Sequence, residues 1–460
     1  MKKTLIILLI LSFVPALLTA QPREEVKKDT PAKTGPGLKQ WEQGVINILW
    51  ENTDVSSEPT YRCIVIGDAN LDGIDDTIVV GDYDSPTAYI INFDGSTRAI
   101  LNYDGSSVRA VAIGEIDGDG AAEVVIAGYG SNYVRIYDAN TGSEEAYSPW
   151  EILVGHVISH YGSLKVGDVD NDGLDEIALG TAGYPYDENY VEVVEYSGGT
   201  LVSKWNSGPL DLDEIVCLTL GEFDGTTGLD IVCKIWGSSN PLLGFRGSDG
   251  TQLFSTVLSP STTYVYDFAV VDIDGDSLDE IAAAGYGGLY IIDDDGTQLT
   301  CYETSDTACS VYAGDIDGDA NVDFAVGDYD DYIYALEWDG TQLVELWNYF
   351  DGDTGDWMLD VAIGDLNADG VNEVVGVDDS SADTGEYQLI VLNNDGSVLD
   401  RYADTDDLEL VELADLDGDG ALEIVFGGGS LKAADIPLPS EPAIAIILIL
   451  AAILILSKRL

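Results

Sequence analysis

The chain has 460 residues, and its 84 Asp and Glu against 19 Lys and Arg give a formal net charge of −65. A field of that sign repels a phosphate backbone, which excludes nucleic acid as a natural partner. Five cysteines are too few for a disulfide-built scaffold. Cys217 with Cys233, or Cys301 with Cys309, could bridge in an oxidising compartment, and buried small hydrophobes are the other reading of these four and of Cys63.

In chain order, Met1 to Ala20 carries Lys2 and Lys3, an apolar core from Leu5 to Leu18 and a small residue before Gln21. This is the pattern of a secretory signal peptide cleaved near Ala20, with an uncleaved anchor as the alternative. Residues 21–42 are polar, bear Pro, Gly and Lys, and read as a linker.

From Val45 to Ile436 a unit recurs about every 50 residues. Each unit reads as strand, acidic loop, strand, Gly-containing bend, strand, turn, strand. In the sixth these are Ser310 to Ala313, the loop from Asp315, Phe324 to Val326, Gly327-Asp328, Tyr332 to Trp338, Asp339-Gly340 and Leu343 to Trp347. Asp-Gly pairs at 94–95, 249–250, 295–296, 339–340 and 395–396 supply hairpin turns between third and fourth strands. Helical periodicity is absent from these units. The pattern predicts an all-β fold: an eight-bladed β-propeller of four-stranded antiparallel blades over residues 43–436. After the eighth loop only two strands remain, Glu423 to Phe426 and Leu431 to Asp435. The segment Val45 to Trp50, similar to Leu343 to Trp347, is predicted to supply the missing outer strand of the last blade and so remove an exposed edge.

The loops carry the chemistry. Each is nine residues with an acid at position 1, Asp or Asn at 3, usually Asp at 5, usually Gly at 6 and an acid at 9. Oxygens at 1, 3, 5 and 9, with a backbone carbonyl at 7, can wrap one Ca²⁺, which takes six to eight hard oxygen ligands. Gly at 6 permits the sharp reversal. The candidate ligands are Asp68, Asn70, Asp72 and Asp76 in the first loop, then Glu115, Asp117, Asp119 and Glu123 in the second. The third offers Asp168, Asp170, Asp172 and Glu176, and the fourth Glu222, Asp224 and Asp230. The fifth has Asp272, Asp274, Asp276 and Glu280, and the sixth Asp315, Asp317, Asp319 and Asp323. The seventh has Asp365, Asn367, Asp369 and Glu373, and the eighth Asp415, Asp417, Asp419 and Glu423. Up to eight Ca²⁺ are therefore expected, with the fourth site weak or empty because Thr226 and Thr227 replace Asp and Gly. Ser277 and Ala320 replace the turn Gly in the fifth and sixth loops, which strains the backbone without removing a carboxylate.

Pro437, Pro439 and Pro442 break the chain, and Ala443 to Leu456 is then uninterruptedly apolar, ending in Ser457-Lys458-Arg459-Leu460. As a C-terminal apolar helix it would be about 21 Å long, short of a bilayer core of about 30 Å without its flanks. The terminal basic pair is expected on the cytoplasmic side and the propeller outside.

The Asp-x-Asp-x-Asp-Gly-x-x-Glu loop, preceded by apolar-Gly steps such as Ile66-Gly67, Ile113-Gly114 and Ile363-Gly364, resembles the FG-GAP repeats of integrin α-chain propellers and of related prokaryotic surface proteins. The resemblance covers residues 45–436. It implies calcium in loops on one face and adhesion or ligand binding at the cell surface; in the first copy it adds the carbonyl of Ile74 to the ligands. The tail is similar to prokaryotic sorting tails that are removed by a transpeptidase-like enzyme, and a plain membrane anchor is the alternative.

The leading expectation is thus a calcium-binding adhesion or ligand-binding propeller without catalysis, secreted and anchored at the cell surface, with an extracellular protein or glycan ligand. The alternative is a secreted carbohydrate-active enzyme, a polysaccharide lyase or hydrolase on a calcium-stabilised propeller; a purely architectural surface component is a third. For catalysis the only histidines are His156 and His160, in a segment between blades, and no GxSxG, HExxH or phosphate loop occurs. Tyr83, Tyr129, Tyr286 and Tyr329 recur at one place in the blade and could form a stacking surface for sugar or peptide, or simply pack between blades.

Overall fold

Short runs of Val, Ile and aromatic residues bounded by Asp, Gly and Ser become strands. The described residues form 32 of them and no helix. The computed structural model describes residues 45–55, 59–82, 85–130, 133–148, 163–181, 189–210, 214–352, 357–378 and 387–437. The predicted signal peptide, linker, apolar tail, both histidines and Tyr83 lie outside them.

The strands make eight four-stranded antiparallel sheets. In the second blade they are Ser107–Gly114, Glu123–Tyr129, Arg135–Asp138 and Glu144–Tyr147, hydrogen-bonded in sequence order. The eighth departs as expected: Leu408–Ala414, Glu423–Gly428 and Leu431–Asp435 are completed by Asn47–Asn52, from the far end of the chain. Glu51 pairs with Lys432 and Asn52 with Leu431 in that junction. The first strands of consecutive blades touch one another in a cycle that returns from the eighth blade to the first, so the sheets form a closed ring.

A second strand has a neighbouring blade on each face and cannot alternate between core and solvent. Accordingly Asp230–Ile235, Glu280–Gly285 and Glu423–Gly428 are buried at every residue. The core is divided to match, with one apolar cluster at each blade boundary. Val79 and Ile90 of the first blade meet Val124 and Ile126 of the second, while Ile78 and Val80 meet Val425 and Ala433 of the eighth. Indoles reinforce these boundaries. Trp50 Nε1 donates to the Phe93 carbonyl at 2.8 Å, Trp347 Nε1 to Asn394 at 2.8 Å, and Trp205 Nε1 to Gly247, each reaching the turn of the next blade. Gly95 and Gly396 in those turns have φ of +80° and +78°, and a Cβ on either would strike the Trp50 or Trp347 ring.

Every outer strand also carries one extra residue opposite the third, a β-bulge that re-aims a side chain. The bulged residues are Arg98, Glu145, Lys204, Leu253, Leu299, Leu346, Leu399 and, in the closing strand, Leu49. The five cysteines are separate thiols, all buried except the half-buried Cys301.

Candidate metal centres

All eight acidic loops join a first strand to a second, so they share one end of the ring. Their carboxylates fold the loop from within. In the third, the Asp168 carboxylate accepts the amides of Asp172 and Gly173 at 3.1 and 3.0 Å, Asp170 accepts Asp172 at 3.2 Å, and Asp172 accepts Leu174 at 3.0 Å. The fifth repeats this with Asp272 accepting Gly275 and Ser277, Asp274 accepting Asp276, and Asp276 accepting Leu278. The result draws the acids together: one oxygen from each of Glu115, Asp117 and Asp119 lies within 4.8 Å of the others, as in the triads Asp168, Asp170, Asp172 and Asp272, Asp274, Asp276.

Two positions in each loop take left-handed backbone, not one. Position 6 does so at Gly73, Gly120, Gly173, Ser277, Ala320, Gly370 and Gly420, with φ of +79° at Ser277 and +71° at Ala320. Position 4 does so in every loop, at Leu71, Gly118, Asn171, Gly225, Gly275, Gly318, Ala368 and Gly418. The recurrent Gly at position 4 was the available signal. The fourth loop has no left-handed residue at Thr227 and uses Gly228 instead, with φ +100°.

The ninth residue opens the second strand and turns inward. Glu123 Oε2 accepts the Ile116 amide at 2.7 Å, Glu280 that of Ile273 at 2.7 Å, Asp323 that of Ile316 at 2.8 Å, Glu373 that of Leu366 at 3.0 Å and Glu423 that of Leu416 at 2.8 Å. Burial pushes the Glu123 carboxyl up to about 8, with the Asp117 charge adding to the rise. Burial likewise lifts Glu280, Asp323, Glu373 and Glu423 to about 7.

The first loop differs. Gly114 pairs with Glu123, but its counterpart Gly67 pairs with Thr77 and not with Asp76. A one-residue shift moves Asp76 out of the anchoring place, and its carboxylate accepts the Thr77 hydroxyl at 2.9 Å instead. Asp68, Asn70 and Asp72 retain the loop pattern, with Asp68 accepting Asn70 and Gly73, and Asp72 accepting Ile74.

Two blades bring a cation of their own, which motif spacing did not reveal. Lys204 Nζ lies 2.5 Å from Asp170, 2.8 Å from Glu195 and 3.2 Å from Glu176. Burial alone would lower this ammonium, but the three carboxylates outweigh it and hold it above its ordinary range. In the fourth blade Arg246 grips Asp224 through Nε at 2.7 Å and Nη2 at 2.6 Å, while Asp230 accepts the amides of Phe223 and Gly247. That guanidinium offsets one of the loop's three acids, while the buried Glu222 Oε1 has no hydrogen-bond partner. Elsewhere buried acceptors stay orphaned: Glu115 Oε2, Asp323 Oδ1, Asn367 Oδ1 and Asp415 Oδ1 have no hydrogen-bond partner. An all-oxygen, carboxylate-rich donor set with orphaned buried oxygens fits a hard divalent cation. Beside the fifth loop, a cavity of about 680 Å³ is lined by Asp274, Glu280, Asp293, Glu337 and Trp338.

The opposite end of the ring is aromatic. Tyr129, Trp236 and Tyr286 end or follow second strands and Trp357 precedes a first strand; they are 40, 45, 61 and 45% exposed. Tyr329 is packed, stacking on Trp357 at 4.9 Å and meeting Tyr266 edge-on at 5.5 Å, and Tyr266 in turn meets Tyr264 at 4.3 Å. Tyr129 lies under the Arg109 guanidinium at 5.6 Å.

Comparison with known proteins agrees with this architecture. Residues 115–179, the second loop through the start of the third blade, match the FG-GAP-like repeat. No curated protein matches the sequence. Similar solved structures include Saccharomyces cerevisiae Sqt1, at 12% identity and TM-score 0.60, covering 83% of this chain and 97% of that one. The C-terminal WD40 domain of Sif2 aligns at 13% identity and TM-score 0.56, over 86% and 99% of the two chains. The computationally designed Ika8 protein aligns at 15% and 0.53, over 83% and 98%. At these identities the likeness is one of fold.

Proposed function

We propose that this eight-bladed propeller of FG-GAP-like repeats is a calcium-stabilised binding module of the cell surface. The observation that carries the reading is the convergence of loop carboxylates on common centres while buried oxygens among them have no hydrogen-bond partner. Residues at positions 1, 3 and 5 would hold Ca²⁺, joined by the ninth where it lies within reach. The ion would supply positive charge to acids that otherwise repel, so binding stabilises the folded blade.

In this reading the acids are structural ligands and not acid–base catalysts, most of them being tied to backbone amides of their own loop. Recognition of an extracellular protein or glycan falls to the exposed aromatics at the other end, where flat rings offer apolar area with little entropy to lose. A basic N-terminus before an apolar run, and an apolar tail ending in Lys458-Arg459, support an extracellular propeller held at the membrane. Equilibrium dialysis of the purified chain against Ca²⁺ tests the metal reading. Several ions per chain are expected, one fewer in Asp417→Asn/Asp419→Asn; a chain that binds none overturns it.

A further inference from the structure

One residue bulges from each outer strand, and in the second and third blades its side chain meets the acidic loop. Five blades place leucine at the bulge: Leu49, Leu253, Leu299, Leu346 and Leu399. Two place a cation. Lys204 bonds Glu176, the ninth residue of its loop, and Arg98 Nη1 donates to Thr77 Oγ1 at 3.1 Å, Thr77 being the residue that the register shift puts in that place. The second blade alone places an acid, Glu145, against two others.

One oxygen each from Asp117, Glu123 and Glu145 lies within 4.8 Å of the other two. Glu123 is fully buried; its Oε2 accepts the Ile116 and Asp117 amides at 2.7 and 3.2 Å, while its Oε1 has no partner. Glu145 Oε2 is likewise buried and without a partner. Three ionised carboxylates this close repel one another, and a cation among them relieves that repulsion. The neighbouring blade shows what fills the same space, since the Lys204 ammonium bonds the corresponding third and ninth residues, Asp170 and Glu176.

We propose that Asp117, Glu123 and Glu145 form a second divalent-cation site beneath the loop of the second blade, with Asp117 shared between it and the triad of Glu115, Asp117 and Asp119. Lys204 is the built-in counterpart in the third blade. A donor set of carboxylate oxygens alone selects a hard cation such as Ca²⁺ over a thiophilic metal.

The test counts Ca²⁺ per full-length chain by equilibrium dialysis for the wild type, Glu145→Leu, Glu145→Lys and Asp119→Asn. Leucine is the residue of five other blades, so Glu145→Leu should fold, which circular dichroism checks. The expected result is one ion fewer in both Glu145 variants. Glu145→Lys, which rebuilds the third-blade arrangement, should also melt higher than wild type in chelator. Unchanged stoichiometry in both Glu145 variants overturns the proposal, whatever the loops bind. Loss of an ion in Glu145→Leu with none lost in Asp119→Asn supports the lower site and counts against the loop reading in that blade, so the two failures are separable.

Discussion

Asp175 and Glu115 hold one another across a blade boundary: the Glu115 amide donates to Asp175 Oδ2 at 3.0 Å, and the Asp175 amide donates to the Glu115 carbonyl at 2.8 Å. Asp279 and Glu222 repeat the clasp at 2.9 and 2.8 Å. Leu229 reaches the Asp168 carbonyl at 3.0 Å, and Asn372 Nδ2 reaches that of Asp315 at 2.7 Å. In each case the eighth residue of one loop fixes the first residue of the loop before it. Neighbouring loops are thereby tied together around one end of the ring.

Removing that tie isolates its contribution. Asp175→Ala leaves the Glu115 amide without its side-chain acceptor, at a cost of about 1–2 kcal/mol. Asp175→Asn keeps a carbonyl acceptor and should retain most of that stability. Chemical denaturation of both variants gives the comparison, and equal loss in the two would mean that the hydrogen bond is not the source.

The left-handed residues lead to a second expectation. Ser277 and Ala320 adopt φ of +79° and +71°, where an L side chain costs about 1–2 kcal/mol and glycine very little. Ser277→Gly and Ala320→Gly should each stabilise the protein by about 1 kcal/mol, less the extra chain entropy of glycine when unfolded. Gly120→Ala should do the reverse: no atom lies within 4 Å of an added Cβ, so backbone strain at φ +92° is the whole effect. Thermal melts of the three variants check the signs.

The ninth-position acids set a pH dependence. Glu123 is raised to about 8, and Glu280, Asp323, Glu373 and Glu423 to about 7, all chiefly by burial, against an unfolded value near 4 to 4.5. Groups raised on folding stabilise below their unfolded pKa, and that stability is lost as pH rises through the folded value. The metal-free protein should therefore weaken steadily from about pH 4.5 to pH 8. Ca²⁺ competes with those protons, so it should flatten the slope and bind more tightly at the alkaline end. Melts across this range with and without Ca²⁺ measure both.

Ring closure depends on one short strand. Trp50 on Asn47–Asn52 donates its indole to Phe93 of the first blade, while the same strand pairs with Leu431–Asp435 of the eighth. Trp50→Ala should cost about 2–3 kcal/mol, below a fully buried Trp because the ring is only half-buried. Deleting 43–53 should cost far more and leave the edge of Leu431–Asp435 unpaired. A deletion variant as stable as the parent would show that closure resides elsewhere.

Much of this was legible in the sequence because it is local. Asp-x-Asp-x-Asp-Gly spacing, Asp-Gly turns and the surplus strand at Val45 to Trp50 each lie within one short window. What escaped depends on residues brought together from afar. Lys204 lies 28 residues beyond Glu176, and it meets that acid only because a bulge in the outer strand turns it inward. Glu145 met Asp117 and Glu123 by the same device. The shift that puts Thr77 opposite Gly67 is set by strand pairing, since loop residues 68–76 match the other copies without a gap. The aromatic end was half legible: Tyr129 and Tyr286 are exposed as a stacking surface requires, while Tyr329 is packed between Tyr266 and Trp357.

The central claim is that cations relieve repulsion among clustered carboxylates and thereby hold the ring together. The most direct measurement is the melting temperature of the intact protein at neutral pH in excess Ca²⁺ and again in excess chelator. The account predicts a fall of about 10 °C or more on chelation, reversed when Ca²⁺ is restored. Superimposable melting curves in the two conditions would contradict it.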